Sequence, residues 1–470
     1  MSVKLAPHSC AILFAMLTLP PITHAESSKP EKVHQAHQAP KPAVASTEST
    51  KAATTIPSII PATNSGKTAS SPLKPPNPAV VSASNLFGFD LLKHLLKKGC
   101  SQNIVISPTG LNLALAMAAG GASGSTKNAM LNTLRLSNVP TGEIRNSHNS
   151  LLQQLLKGAD ADVTINIADS IWTDNRTLVQ PTFISQNQKL YDAEIRSADF
   201  SKASTVNSIN DWVSNKTRGR IRTIIDHLEP ASKLVILNAV YFKGGWYSPF
   251  EQKETKQKEF TLLSGNKKKL PMMEDTRYTY YMKGKDFQAL RLPYGSGARF
   301  DMWLFLPDEK PGSFRAPWQR SIEKMYEDFL NDITQSDWSS ITGAFASERV
   351  HIVLPRFKVE MAKTVGDNLK SMGMNIAFDK EKANFSEMIS LGPHDQAWIE
   401  EVLHKTFIEV NEKGTEAAAA TGVIMGVNTC GTIKEPPPPK EFIADHPFVL
   451  GIRDSSTGAI LFLGSIADPG

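Results

Sequence analysis

The segment Gly120-Gly121-Ala122-Ser123-Gly124-Ser125-Thr126 has the glycine and hydroxyl content of a loop that cradles phosphate with backbone N–H groups. It follows a helical pattern instead of a strand and lacks a G-K-[ST] ending, so it reads as a helix stop and turn. No G-x-S-x-G sets a serine on the sharp turn of a hydrolase, and no H-E-x-x-H spaces two histidines around a zinc. Glu400-Glu401 and Glu274-Asp275 are adjacent carboxylates, which do not face one site in a strand or a helix and so do not support paired-carboxylate catalysis. Trp172, Trp212, Trp246 and Trp303 read as core or interface aromatics, not stacking platforms. The expectation is a chain with no catalytic residues, no metal and no cofactor, and thus not an enzyme.

What stands out instead is a C-terminal run, IEVNEKGTEAAAATGVIMGVNTCGTIKEPPPPKEF, which begins as a strand at residues 406–411. From Thr415 to Val423 it offers small residues without proline. Alanine favours helix, but four alanines beside Thr421 and Gly422 cannot offset the cost of nucleating one. Read with a period of two, one face carries Thr415, Ala417, Ala419, Thr421 and Val423, and the other Glu416, Ala418, Ala420, Gly422 and Ile424. Only the second face holds a charge. Such a segment could lie exposed in one state and slide into a sheet in another, with Gly414 supplying hinge freedom. Pro436 to Pro439 then form a stiff extended stretch.

The elements that would position this segment can be read from periodicity. Residues 85–96 and 111–119 have helical spacing, with a short buried strand at residues 104–106 between them. Residues 163–172 alternate as a strand, Pro181 opens a helix reaching about Ala193, and residues 206–225 are amphipathic. LVILNAVYF, residues 234–242, has the length and composition of a central strand covered on both faces. Strands dominate residues 260–307 and 350–357, and residues 442–469 return to strand-like alternation. The result is an α+β domain over residues 82–470, without internal repeats.

Composition bounds the setting. The 470 residues are 41% hydrophobic and 21% charged, enough apolar material for a large core. The net charge of +5 comes from interspersed residues, so nucleic acid is not an expected partner. Lys4, an apolar run over residues 10–19 and the ending Thr23-His24-Ala25 read as a signal peptide cut after Ala25, which implies a secreted or extracytoplasmic protein, extracellular or periplasmic. The alternative is an uncleaved anchor, but the run is short of the roughly 20 residues that span a bilayer, and no later stretch spans either. Residues 26–81, rich in Ser, Thr, Ala, Pro and Lys, read as a disordered linker. Removal of Cys10 leaves Cys100 and Cys430, read as free thiols with a bridge between them as the alternative.

The chain resembles the serpin family of protease inhibitors over residues 82–469. The blocks that carry the resemblance are NIVISPTGLNLALAMAAGGASGST (residues 103–126), INDWVSNKTRGRI (209–221), LVILNAVYFKGGWYSPF (234–250), LPRFKVE (354–360), HKTFIEVNEKGTEAAAATGV (404–423) and ADHPF (444–448). The resemblance implies large mixed β-sheets with packed helices and an exposed reactive loop at about residues 412–441. A target serine protease would cut that loop, form an acyl-enzyme and be trapped in a covalent 1:1 complex as the loop inserts into the central sheet. Such an inhibitor works as a monomer whose stability is kinetic.

Position by position, the resemblance assigns Glu412, Gly414, Thr415, Glu416, Ala417, Ala418, Ala419, Ala420 and Thr421 to the hinge. It assigns Ser107, Asn238 and His404 to a polar cluster under the opening sheet, and Trp246 to the aromatic where the loop enters. Gly110 departs from the pattern, standing where a second small hydroxyl residue is usual. The scissile bond falls roughly sixteen or seventeen residues past Glu412, giving Asn428-Thr429, with Val427 and Met425 as alternatives. No Lys or Arg occurs between Thr415 and Ile433, which argues against trypsin-like targets. Elastase-like or subtilisin-like enzymes would accept Val427 or Met425, and an Asn-specific cysteine protease would choose Asn428. The competing reading is a serpin-fold binding or carrier protein whose loop is not used.

Overall fold

A run that is apolar on both faces must be covered on both faces, and residues 234–242 organise the molecule for that reason. The computed structural model describes residues 74–97, 101–157, 162–308, 329, 338–390, 396–415 and 437–470. Its first half contains α1 (Pro78–Leu96), β1 (Ile104–Ile106), α2 (Pro108–Ala119), α3 (Gly124–Thr133), α4 (Thr141–Lys157), β2 (Val163–Asp174), β3 (Leu178–Val179), α5 (Pro181–Tyr191), β4 (Glu194–Ala198), α6 (Ala203–Lys216) and β5 (Leu234–Gly245). There follow β6 (Lys256–Thr261), β7 (Lys267–Lys283), β8 (Phe287–Tyr294), β9 (Phe300–Pro307), α7 (Trp338–Gly343), β10 (Ala346–Pro355), β11 (Phe357–Thr364), α8 (Gly366–Leu369), β12 (Ile389–Ser390), β13 (Ile399–Asn411), β14 (Gly414–Thr415), β15 (Lys440–Ile443), β16 (Phe448–Asp454) and β17 (Ile460–Ile466).

Among the described residues these strands build a nine-stranded sheet, ordered β1-β17-β16-β9-β8-β7-β10-β15 with β6 on β7, and a six-stranded sheet, β11-β13-β14-β5-β2-β4. Both are mixed: β13–β5, β2–β4 and β10–β15 run parallel, the other pairs antiparallel. The expected α+β architecture of large mixed sheets with packed helices is what forms.

β5 is covered as its composition requires. Its outer face, Val235, Leu237, Ala239 and Tyr241, packs with Ile209, Trp212 and Val213 of α6. Its inner face ends in Val240 and Phe242, which join the apolar layer between the two sheets. Phe242 is fully buried and meets the edges or faces of Tyr294, Phe300 and Phe462 at centroid distances of 5.1, 6.0 and 6.4 Å.

Two boundaries differ from the sequence reading, each for a local reason. α1 starts at Pro78, inside the stretch read as linker, because the Asn77 side chain accepts from the Ala79 N–H and Pro78 occupies the first turn, while Val80 and Val81 are buried. The amphipathic run over residues 206–225 is helical only to Lys216, because Arg218 and Gly219 adopt positive φ (55° and 74°) and end it. No helix among the described residues is long and apolar enough to cross a membrane. The expected signal peptide, residues 26–73 of the expected linker, and Cys10, Cys100 and Cys430 lie outside the described residues.

Phe242→Ala would remove the ring on which both sheets converge. We expect a loss of about 3–5 kcal/mol, the range for a buried Phe cut to Ala, measured as a lowered urea midpoint of the first unfolding transition.

Candidate functional site: a split seam with a hinge strand inside it

β13 and β5 pair in parallel from Ile399↔Leu234 to Phe407↔Tyr241, and beyond that point they part. The wedge between them is filled by β14, which turns back after Glu412-Lys413 and runs antiparallel to both neighbours. Gly414 stands opposite Asn411 and Gly245, and Thr415 opposite Val410 and Gly244. Gly414 and Thr415, the first residues of the expected hinge that follow the turn, therefore lie within the sheet.

Glycine is required at the turn. Gly414 has φ of 142°, and a Cβ there would lie 2.1 Å from the Gly244 carbonyl oxygen. Thr415 is fully buried, and its hydroxyl sits 2.6 Å from the hydroxyl of Tyr294. Tyr294 in turn stacks on Trp246 at 4.4 Å with the rings 12° apart. The Trp246 indole N–H donates to the Asn411 carbonyl (2.9 Å), and its backbone N–H donates to the Lys413 carbonyl (2.9 Å). These bonds fix the turn from the β5 side.

Glu412 fixes it from the other side. The Arg356 guanidinium donates to both of its oxygens (2.6 to 3.0 Å), and the Thr255 hydroxyl donates at 2.5 Å. Burial alone would push this carboxyl up, but Arg356 and Thr255 outweigh it and hold Glu412 below the usual range.

Lower in the same seam lies a row of polar side chains facing the core. Register places Asp169 of β2, Asn238 of β5 and His404 of β13 side by side. Beneath them is the start of α2, where the Ser107 hydroxyl accepts from the Gly110 N–H (3.1 Å) and the Ser107 N–H donates to His404 Nε2 (2.9 Å). Burial drops His404 to about 3, so the ring is neutral and its proton sits on Nδ1. The Asn238 amide donates to Asp169 Oδ1 at 2.6 Å. Burial pushes the Asp169 carboxyl up to about 7, against the opposing pull of that hydrogen bond.

The structure thus brings Ser107, Asn238 and His404 together and sets Trp246 apart, at the end of β5 beside Glu412, Gly414 and Thr415. Gly110 lies in the row, where its lack of a side chain has a visible cause. A Cβ would come within 2.7 Å of Asn238 Nδ2, so the amide fills that space. With no hydroxyl from Gly110, Asn238 Oδ1 has no hydrogen-bond partner among the described residues. Sequence reasoning missed Asp169, Tyr294 and Arg356, whose roles rest on contacts 56 to 121 residues away along the chain. Glu416, Ala417, Ala418, Ala419, Ala420, Thr421, Met425, Val427, Asn428 and Thr429 lie outside the described residues.

Arg356→Ala should release the turn before β14, since Glu412 would stay buried with Thr255 alone. We expect a loss of about 1–3 kcal/mol at pH 7, the lower half of that range because Arg356 is 38% exposed, and faster proteolysis at Lys413. Glu412's contribution is complete above the ordinary carboxylate range and is lost as the pH falls below it. The variant and the parent should therefore converge at strongly acidic pH.

Comparison with known proteins matches this architecture. The family model for serpins, serine protease inhibitors, matches residues 82–469. An uncharacterized serpin-like protein of Thermococcus kodakarensis is 34% identical over 83% of this chain and 86% of its own length. The human leukocyte elastase inhibitor is 33% identical over 83% of this chain and 99% of its own. Among solved structures, the native state of the thermophilic serpin tengpin superposes with a TM-score of 0.71 at 27% identity, covering 83% of this chain and 94% of that one. The chain belongs to the serpin family.

Proposed function

We propose that this serpin is an exported, monomeric suicide inhibitor of serine endopeptidases, and of cysteine proteases that accept the same loop. The observation that carries the reading is β14: two hinge residues seated in the wedge, antiparallel to both walls of the seam. Continued in that register, Glu416 would face Lys243, Thr421 would come between Asn238 and His404, and Met425 would face Leu234, where the seam ends. Each meeting is favourable. Glu416 and Lys243 form an opposite-charge cross-strand pair. A threonine hydroxyl can donate to the free Asn238 oxygen.

Thr415 faces the core against Tyr294, so alternation would put Ala417, Ala419, Thr421 and Val423 inward and Glu416 outward. The inward face is then small and uncharged. The reactive bond, Asn428-Thr429 with Val427 and Met425 as alternatives, falls at or just past the last seam position. A protease acylated there would be carried the length of β5 before water could release it.

The inserted loop forms two antiparallel ladders where one parallel ladder stood, which supplies the driving force. This chain performs no bond chemistry itself: the protease's nucleophile attacks the loop, and the inhibitor's task is to move the acyl-enzyme before hydrolysis. Lack of Lys and Arg in the bait points to elastase-like or subtilisin-like targets.

Mixing the protein with a panel of such proteases should give a band at the summed mass on denaturing electrophoresis; clean clipping by every active protease would refute inhibition. Thr415→Arg should turn inhibitor into substrate, because the guanidinium would have to enter the core face at a cost of several kcal/mol. The readout is loss of the covalent band with the loop still cut. A carrier whose loop is not used would show neither the band nor a rise in melting temperature on loop cleavage.

A further inference from the structure

The polar row contains one group for which loop insertion supplies no role. Asp169 lies next to Asn238, is 4% exposed, and receives the Asn238 amide at 2.6 Å. A carboxylate sealed in this way needs a cation, and none faces it among the described residues. α2, beneath the row, carries no titratable side chain.

α4 and α5 bring His148 and Tyr191, whose rings lie 5.9 Å apart. Burial drops His148 to about 3 and pushes the Tyr191 phenol up, so both are neutral. Arg145 of α4 donates instead to Gln186 (2.7 Å). β13 brings His404, also neutral. On the outer side, the Glu194 carboxylate of β4 is held by Arg196 and by Lys216 of α6.

We propose that Asp169 is a positioning residue that ties opening of the β5–β13 seam to its own proton: protonated, it leaves the row sealed, and ionised, it makes the row draw water and part. The inference rests on the loop-insertion reading and adds to it a control by pH. Its physical basis is that the closed sheet seals the carboxyl behind the Asn238 amide with no cation facing it among the described residues, which pushes it up to about 7, whereas a seam open to water would return it toward the ordinary range near 4. The closed state therefore has its full advantage in acid, and loses it as the pH rises toward 7 and the open state ionises first. Opening should accelerate from pH 5.5 to 8 and level off above that.

The test uses the full chain and a synthetic peptide of residues 415–426, which anneals only where the seam opens and needs no protease. The parent protein should take up the peptide about thirtyfold faster at pH 8 than at pH 5.5. Asp169→Asn should anneal at the slow acid rate at every pH, and Asp169→Ser, also neutral, should give the same flat profile if the amide misfolds. A parent rate that does not change over this range, or an Asp169→Asn profile that keeps the parent's slope, would overturn the proposal. Annealing that shows the pH effect without any covalent protease complex would sustain it while refuting inhibition. No annealing at any pH would overturn the proposal, while a covalent protease complex formed by the same protein would leave the inhibitory reading standing.

Discussion

The parallel ladder between β5 and β13 is the constraint on which the rest depends. It joins two strands 165 or so residues apart in the chain, and both of its neighbours in the sheet are antiparallel to one of its members. A parallel pair is slightly weaker per residue than an antiparallel one. At its upper end the ladder has already given way to β14. Trp246, Tyr294 and Arg356 hold the wedge, while Ser107, Asp169, Asn238 and His404 sit along the paired part of the ladder.

This arrangement explains why buried polar groups are tolerated in the middle of a large core. An orphan atom, Asn238 Oδ1, and a carboxyl that no cation faces among the described residues weaken the sheet relative to an apolar row. In the proposed function such weakness lies where the sheet would separate. The surrounding layers compensate, with the inner face of β5 against the aromatic layer of Phe242, Tyr294, Phe300 and Phe462, and its outer face under α6.

The sequence made part of this legible. LVILNAVYF announced a strand buried on both faces because nine consecutive residues left no polar side, while the hinge expected from Gly414 and Thr415 onward is described only as far as the two-residue strand β14. Block matches named Ser107, Asn238 and His404. Asp169 was silent, since in ADVTINIADS it is one more polar residue of an alternating strand, and only its pairing with Asn238 reveals that it faces the core. Tyr294 and Arg356 were silent for the same reason: their partners, Thr415 and Glu412, are brought to them by the fold. Boundaries failed where single caps decided them, at Asn77 and at Arg218-Gly219.

The central claim is that the seam accepts the chain's own loop in the register β14 begins. The most direct measurement is a crystal structure of the protein after a single cut in residues 425–429. The account expects a new strand between β5 and β13, antiparallel to both, with Thr421 opposite Asn238 and His404. If β5 and β13 remain paired from Leu234 to Tyr241 and the cut ends lie outside the sheet, the account is wrong.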